Sequence, residues 1–258
     1  MEYQTLELNI KNNLAVVVLS RPEVFNSMDA LMRAELTAVV KYAEKNSRCI
    51  VITGSKKIFC SGQDLGSDSK LSNLNLERTL REEYEPLLRT IYNCKVPTMA
   101  AVNGSAAGAG ASLAFCTDIV IATESSFFSQ TLNQVGLIAD SGFSFFVPKN
   151  IGLVRALGAS FFGDKISARQ AQDIGMIWKC VRDKDFEEFW RGKAHYLAMG
   201  PTQAFIRTRA TLRESFKNSF EEQIKLEAKL QGECGQTHDF KEGVLAFLEN
   251  RNAGFEGR

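Results

Sequence analysis

A chain of 258 residues with 45% apolar side chains is long enough for one large α/β domain with a helical appendage, and it has ample material for a core. Its 31 basic residues nearly balance 30 acidic ones, giving a net charge of +1. No basic run interleaves with aromatics, which argues against a nucleic-acid partner. Six cysteines form no C-x-x-C pair and sit mostly in apolar runs, so they read as buried reduced thiols and not as a disulfide framework or zinc site.

The N-terminal residues show no basic and apolar secretory pattern, and the last residues are not a Ser-Lys-Leu address. No apolar stretch reaches about 18 residues. The expectation is a cytoplasmic protein with no membrane contact.

Residues 5–10 alternate apolar and polar, Lys11-Asn12-Asn13 makes a turn, and 14–19 is an apolar run, so the segment predicts a β-hairpin. Pro22 ends it. Asn26 or Ser27 is placed to cap a helix running to about Asn46, with apolar residues at helical spacing. Residues 49–54 read as a buried strand ending at Gly54. Helical pattern covers 76–92, with a kink expected at Pro86. Strands at 98–102 and 118–122 flank a Gly/Ala-rich segment at 104–114. Strand–helix alternation to about Val181 predicts α/β architecture. Beyond a composition change at 183–185 the pattern is helical, with amphipathic stretches at 205–216, 219–232 and 239–250. The predicted organisation is an α/β core over 1–183 and a helical region over 184–258.

Two segments carry chemistry. Asn103-Gly104-Ser105-Ala106-Ala107-Gly108-Ala109-Gly110-Ala111-Ser112 joins a buried strand to an apolar helix through very small residues. Small residues permit close backbone approach, and a helix start offers unpaired N–H groups. Tight helix–sheet packing is the other reading of the same composition. No Gly-Lys-Ser/Thr follows, and Leu113 stands where a dinucleotide fingerprint needs its third glycine, so P-loop and dinucleotide sites are excluded. Phe59-Cys60-Ser61-Gly62-Gln63-Asp64 is a second small-residue turn after a strand.

Together these segments resemble the paired signatures of the crotonase (enoyl-CoA hydratase/isomerase) superfamily, a small-small-Gly-x-Asp turn and an Asn-Gly-x-Ala-x-Gly-Gly-Gly turn. Arg21-Pro22-Glu23 before Asn26, Val96-Pro97-Thr98, Ile166-Ser167-Ala168 and Phe247-Leu248-Glu249-Asn250-Arg251 extend the match over essentially the whole chain. The resemblance implies a spiral of ββα units with a C-terminal helical region that assembles trimers or, by pairing of trimers, hexamers. It implies an acyl-CoA thioester as substrate, coenzyme A being part of that substrate and no separate cofactor being needed. It places two oxyanion-hole donors on the N–H groups of Gln63 and Ala109, and substrate contacts on Ser61, Gly62, Asp64, Leu65, Gly108 and Leu132. Two departures stand out. Ala109 replaces the usual middle glycine, which requires it to sit at negative φ. Phe25 replaces a basic or aliphatic residue and puts a contact to the coenzyme A phosphates in doubt.

Hydratases of this superfamily carry two glutamates, whose positions are Ser112 and Leu132 here, so ordinary hydration is disfavoured. The carboxylate that remains is Asp140, in Gly136-Leu137-Ile138-Ala139-Asp140-Ser141-Gly142. Local sequence also allows it to be the N-cap of the following helix. The resemblance is greatest to enoyl-CoA isomerases and to the ring-epoxide isomerases of phenylacetate degradation, which carry an acid at or beside this position. It implies an isomerase with Asp140 as its single acid–base residue. Hydratase-like or hydrolytic and dehalogenase chemistry are alternatives, although the dehalogenases carry tryptophan where Leu132 stands. A crotonase-like module that binds acyl-CoA or a protein without turnover is another. His195 and His238 read as surface residues, and Glu82, Glu83 and Glu85 as a solvated helix face with a second reading in the acyl pocket. No cluster has metal-ligand spacing, so no metal is expected. Phe143, Phe145 and Met32 are candidates for shaping the acyl pocket.

Overall fold

The computed structural model describes residues 3–64 and 75–258; Leu65 lies outside them. Strands β1 (Leu6–Lys11) and β2 (Leu14–Leu19) form the expected antiparallel hairpin. Asn12 and Asn13 turn it with φ of 51° and 61°, the left-handed pair that matches strand twist and that Asn tolerates. Helix α1 (Ala30–Asn46) starts later than the sequence indicated. Its cap is Asp29, whose carboxylate accepts the Met32 N–H at 2.8 Å. Asn26 and Ser27 are buried instead, and the Asn26 carboxamide ties the Arg21 amide to the Ile58 carbonyl at 2.9 Å each.

After α1 come β3 (Cys49–Gly54) and β4 (Ile58–Cys60). The helical run at 76–92 is α2 (Leu76–Thr79), a π-turn (Leu80–Tyr84) and α3 (Glu85–Tyr92). Pro86 falls in the first turn of α3, where its missing N–H costs least. Ahead of it, Glu85 N–H reaches back five residues to the Leu80 carbonyl, so a widened turn replaces the expected kink. Then follow β5 (Thr98–Val102), β6 (Ser105–Ala107), α4 (Ala109–Phe115), β7 (Ile119–Thr123) and β8 (Phe127–Ser129). Next are α5 (Phe143–Ile151), α6 (Leu153–Phe162), β9 (Ile166–Ser167), α7 (Ala168–Asp173) and β10 (Lys179–Val181). The chain closes with α8 (Phe186–Met199), α9 (Thr202–Glu214), α10 (Phe220–Gly235) and α11 (His238–Leu248).

Two sheets result, ordered β1-β2-β3-β5-β7-β10 and β4-β6-β8-β9. Successive pairs β3–β4, β5–β6 and β7–β8 put one strand into each sheet before the chain turns into helix, so each repeat advances both sheets by one parallel position. This is the ββα spiral implied by the resemblance. The larger sheet is covered on both faces, which is why its strands read as unbroken apolar runs. Ile50, Ile52, Ala100 and Val102 face Leu36, Val40 and Leu87 on one side; Val51, Met99, Ala101 and Ile121 face Trp190, Ala194 and Leu197 of α8 on the other.

Helix α9 is held to the core by charge. The Asp118 carboxylate, at the start of β7, pairs with Arg209 at 2.9 Å and Arg213 at 3.0 Å, and also accepts the Thr98 N–H at 2.9 Å. All three ionic groups are largely buried, so removing the anion strands two desolvated guanidinium groups. Asp118→Asn is expected to cost about 2–4 kcal/mol in a urea unfolding titration; an unchanged midpoint would show that the ion pairs only decorate the α9 contact. Outside this contact, α10 and α11 leave Phe220, Ile224, Phe240, Leu245, Phe247 and Leu248 exposed.

Candidate active site

The turn at residues 61–64 is pinned from one side. Met28 bridges Gln63 in parallel fashion: its N–H donates to the Gly62 carbonyl at 2.7 Å and its carbonyl accepts the Asp64 N–H at 3.1 Å. A residue bridged this way points its own N–H to the opposite side, so the Gln63 amide faces away from residue 28. Ser61 N–H donates to the Phe25 carbonyl at 3.1 Å, adding a third tie.

The opposite side is the start of α4. Gly62 has φ +103°, and a Cβ built on it would lie 2.9 Å from the Ala107 carbonyl oxygen and 3.3 Å from the Ala109 nitrogen. The two small-residue turns therefore touch, and only glycine fits between them. Gly108 caps α4 at φ 51° and ψ −127°, again a glycine conformation. Ala109 takes the first helical position and is not among the described residues with positive φ. The condition for alanine in place of glycine is met, and its N–H survives. Among the described residues, neither the Gln63 N–H nor the Ala109 N–H has a hydrogen-bond partner. At Ala109 that follows from its place in the first helical turn.

Both turns border a cavity of about 620 Å³. Ser61, Gly62, Gln63, Gly108, Ala109, Leu132 and Asp140 line it together, bringing residues far apart in sequence to one place. Asp64 is paired with Arg21 at 2.9 Å and does not line the cavity. The rest of the wall combines apolar Leu76, Leu80, Val135, Leu137 and Ile138 with polar Glu77, Arg81, Thr131 and Gln134. Those residues, unmarked by any motif, were missed in the sequence; their positions in α2, the π-turn and the 131–140 loop give no periodic signal pointing at a pocket. The three candidates for shaping the pocket lie elsewhere. Met32 and Phe143 are in the core, and Phe145 packs edge-on against Tyr92.

Asp140 does not cap α5. That helix begins at Phe143, its N-cap is Gly142, and no side chain caps it. The N-cap reading is therefore corrected: the carboxyl group is left for the cavity. It is half-buried, and its Oδ1 is buried without a partner, as are the Ser141 hydroxyl and both polar atoms of the Gln130 carboxamide. These are the only such side-chain atoms among the described residues. Gln130 lies against Gly108, its Oε1 3.8 Å from where a Cβ there would stand. Burial pushes the Asp140 carboxyl above its ordinary value; the neighbouring Ser141 hydroxyl and the residue's own amide oppose this from positions short of good hydrogen-bond geometry. Among the described residues, Asp140 shares the cavity wall with one other carboxylate, Glu77, which is exposed and paired with Arg81 at 2.8 Å.

The two hydratase positions hold no carboxylate. Leu132 lines the cavity, and the fully buried Ser112 hydroxyl donates to the Asp140 carbonyl at 3.1 Å. Glu82 and Glu85 are exposed and pair with Arg78 and Arg89, while Glu83 pairs with the buried Arg33. His195 and His238 are exposed, away from the cavity. The described residues contain no group of three or more potential metal ligands. No described helix is long and apolar enough to cross a membrane. Five cysteines are buried and Cys234 is half-buried, all free.

Known proteins resemble this chain over nearly their whole length. A protein of Rhodobacter capsulatus named "Probable enoyl-CoA hydratase" is 50% identical over 258 residues, all of both chains. The 1,2-epoxyphenylacetyl-CoA isomerase of Escherichia coli is 35% identical, with 97% of each chain covered. The solved structure of an enoyl-CoA hydratase from Polaromonas sp. JS666 superimposes with a TM-score of 0.91 at 26% identity, covering 97% of this chain and 99% of that one. A family model described as enoyl-CoA hydratase/isomerase matches residues 9–258. The chain belongs to the enoyl-CoA hydratase/isomerase (crotonase) family and is an acyl-CoA-processing enzyme of it.

Proposed function

We propose that this enzyme moves the double bond of an enoyl-CoA, with Asp140 as its one acid–base residue. The observation that carries the reading is the half-buried, unpartnered Asp140 carboxyl in a cavity that also presents two free backbone amides. The thioester oxygen accepts the Gln63 and Ala109 N–H groups. Asp140 removes the C2 proton of a 3-enoyl-CoA, and the electron pair delocalises into a dienolate whose charge rests on that oxygen. The protonated Asp140 then gives the same proton to C4, leaving the double bond between C2 and C3. One carboxyl suffices because the proton leaves and returns through it. A raised pKa suits a group that must both take and give a proton.

Hydration is the second reading, favoured by the name of the Rhodobacter capsulatus relative. It needs a group that activates water, and Ser112 and Leu132 offer none in the two positions where the hydratases carry glutamate. The leucine, valine and isoleucine side chains of the wall suit an acyl group with an apolar portion beyond the thioester. We further propose that the exposed apolar residues of α10 and α11 pack against other copies in a trimer or hexamer, that residues 184–258 serve this assembly, and that the enzyme works in the cytoplasm on fatty-acyl or phenylacetate-derived thioesters without a separate cofactor.

The test is turnover of trans-3-hexenoyl-CoA beside crotonyl-CoA. Isomerisation with hydration at least about 10²-fold slower is expected, the margin that a missing acid–base group imposes. Hydration at a comparable rate sinks the isomerase reading in favour of the hydratase; turnover of neither, with acyl-CoA still bound, sinks isomerisation of simple enoyl-CoA, and a panel of ring-derived CoA thioesters then separates a specialised substrate from a non-catalytic module.

A further inference from the structure

We infer that Ser112, which occupies a carboxylate position of the hydratases, is a positioning residue that sets where the Asp140 carboxyl points. The inference rests on Asp140 being the base. Its starting point is the lack of a partner on Asp140 Oδ1: no well-formed hydrogen bond orients that end of the side chain, so its direction comes from the backbone that carries it. That backbone is irregular. Gly136, Ser141 and Gly142 all have positive φ, at 77°, 51° and 88°, and Leu137 and Ile138 beside them are exposed. Such a segment is anchored by few bonds. At Asp140 the carbonyl accepts the Phe143 N–H at 2.9 Å, from the helix the segment leads into, and the Ser112 hydroxyl at 3.1 Å, from α4.

The second bond links two parts of the site. Ser112 lies one turn after Ala109 in α4, is fully buried, and has the Gly108 carbonyl as its alternative acceptor at 3.4 Å. A backbone carbonyl has no proton, so the hydroxyl must donate. The helix whose first amide binds the thioester oxygen thus holds the residue that moves the proton. The 1,3-transfer makes a strict demand on this link, because the carboxyl must reach C2 and then C4 of one bound dienolate. Misplacement by about 1 Å can cost about 10²-fold in rate. The return to C4 suffers more than the removal from C2, and an unreturned proton exchanges with solvent.

The experiment follows trans-3-hexenoyl-CoA in D2O for wild type, Ser112→Ala, Ser112→Thr and Asp140→Asn, reading kcat, KM and the ratio of C2 exchange to isomerisation. Ser112→Ala is expected to lower kcat about tenfold or more, to leave KM within about twofold, and to raise the exchange ratio several-fold. Ser112→Thr, which keeps the donor, is expected to return both towards wild type. A loss of stability alone would lower the amount of active enzyme without changing that ratio. Should Ser112→Ala not fold, Ser112→Cys has nearly the same shape and a much weaker donor, and carries the same expectation. An unchanged kcat and ratio in the donor-deficient variant, with Asp140→Asn inactive, overturns the role of Ser112 alone. Full turnover by Asp140→Asn overturns the base and the role of Ser112 with it.

Discussion

Asp140→Asn is expected to lower turnover by about 10³-fold, within the range set by loss of a positioned acid–base group, while acyl-CoA binding stays close to wild type. The substitution keeps the size and polarity of the side chain and removes its ability to take a proton. The proposed oxyanion donors are main-chain groups of Gln63 and Ala109, and the substitution leaves them in place. The kcat of the wild type should fall on the acid side, with a limb above the ordinary carboxylate range, because burial raises the Asp140 pKa. Stability should move the other way. The folded-state pKa lies above the unfolded one, so folding favours the protonated group. Its stabilising contribution is complete below the unfolded value and is lost as pH rises through the folded value. At neutral pH the ionised, half-buried carboxylate is therefore a burden on the fold, and Asp140→Asn should raise the melting temperature modestly. An inactive and more stable variant is the signature of a group kept for chemistry. A variant that loses stability along with activity would instead mark Asp140 as structural.

Gly62→Ala is expected to be as damaging through a different route. The added Cβ would meet the Ala107 carbonyl oxygen at 2.9 Å and the Ala109 nitrogen at 3.3 Å, on a backbone at φ +103°. Neither neighbour is the flexible end of a side chain, so the two turns must separate. Separation misaligns the Gln63 and Ala109 amides, and one lost oxyanion donor costs about 10²–10³ in kcat. The strain at positive φ adds about 1–2 kcal/mol of destabilisation. Kinetics on folded protein and a urea titration read the two effects apart. Wild-type kcat in a Gly62→Ala variant would remove the paired-amide oxyanion hole from the mechanism. Gly110 and Gly104 are poor substitutes for this test. A Cβ on either would lie within 2.3 Å of backbone carbonyl oxygens, at Cys60 and Lys57 respectively, and would break the packing of α4 and β6 before chemistry was probed.

Much of the molecule is legible from local chemistry. The hairpin at 6–19 follows from alternation and an Asn-Asn turn, and the buried runs at 49–54 and 98–102 from the need of a doubly covered sheet for apolar side chains on both faces. Both small-residue turns and Asp140 are readable too, because close backbone approach and a lone carboxyl in an apolar stretch leave marks in sequence. The short strands β4, β6, β8 and β9 leave almost none: two or three residues carry no periodicity, and their second sheet exists only through pairing between distant segments. Helix caps were misplaced at Asn26 and Ser27 because several capping residue types stand together there, and tertiary demand for the Asn26 carboxamide decided that Asp29 would serve. Composition drew a boundary near 183, whereas packing lays α8 on the sheet through Trp190, Ala194 and Leu197.

Residue types and spacing by themselves determined the α/β class and the order of the long elements, since each depends on neighbours along the chain; the groups able to bind an anion or carry a proton were assigned through the resemblance of the two small-residue turns and the Asp140 stretch to a known family. Tertiary structure alone decided that Gln63 and Ala109 face one cavity, that Asp140 is left uncapped within it, and that Ser112 holds its backbone. Those facts depend on contacts between segments tens of residues apart, where the energy that chooses among alternatives comes from burial and close packing rather than from local preference.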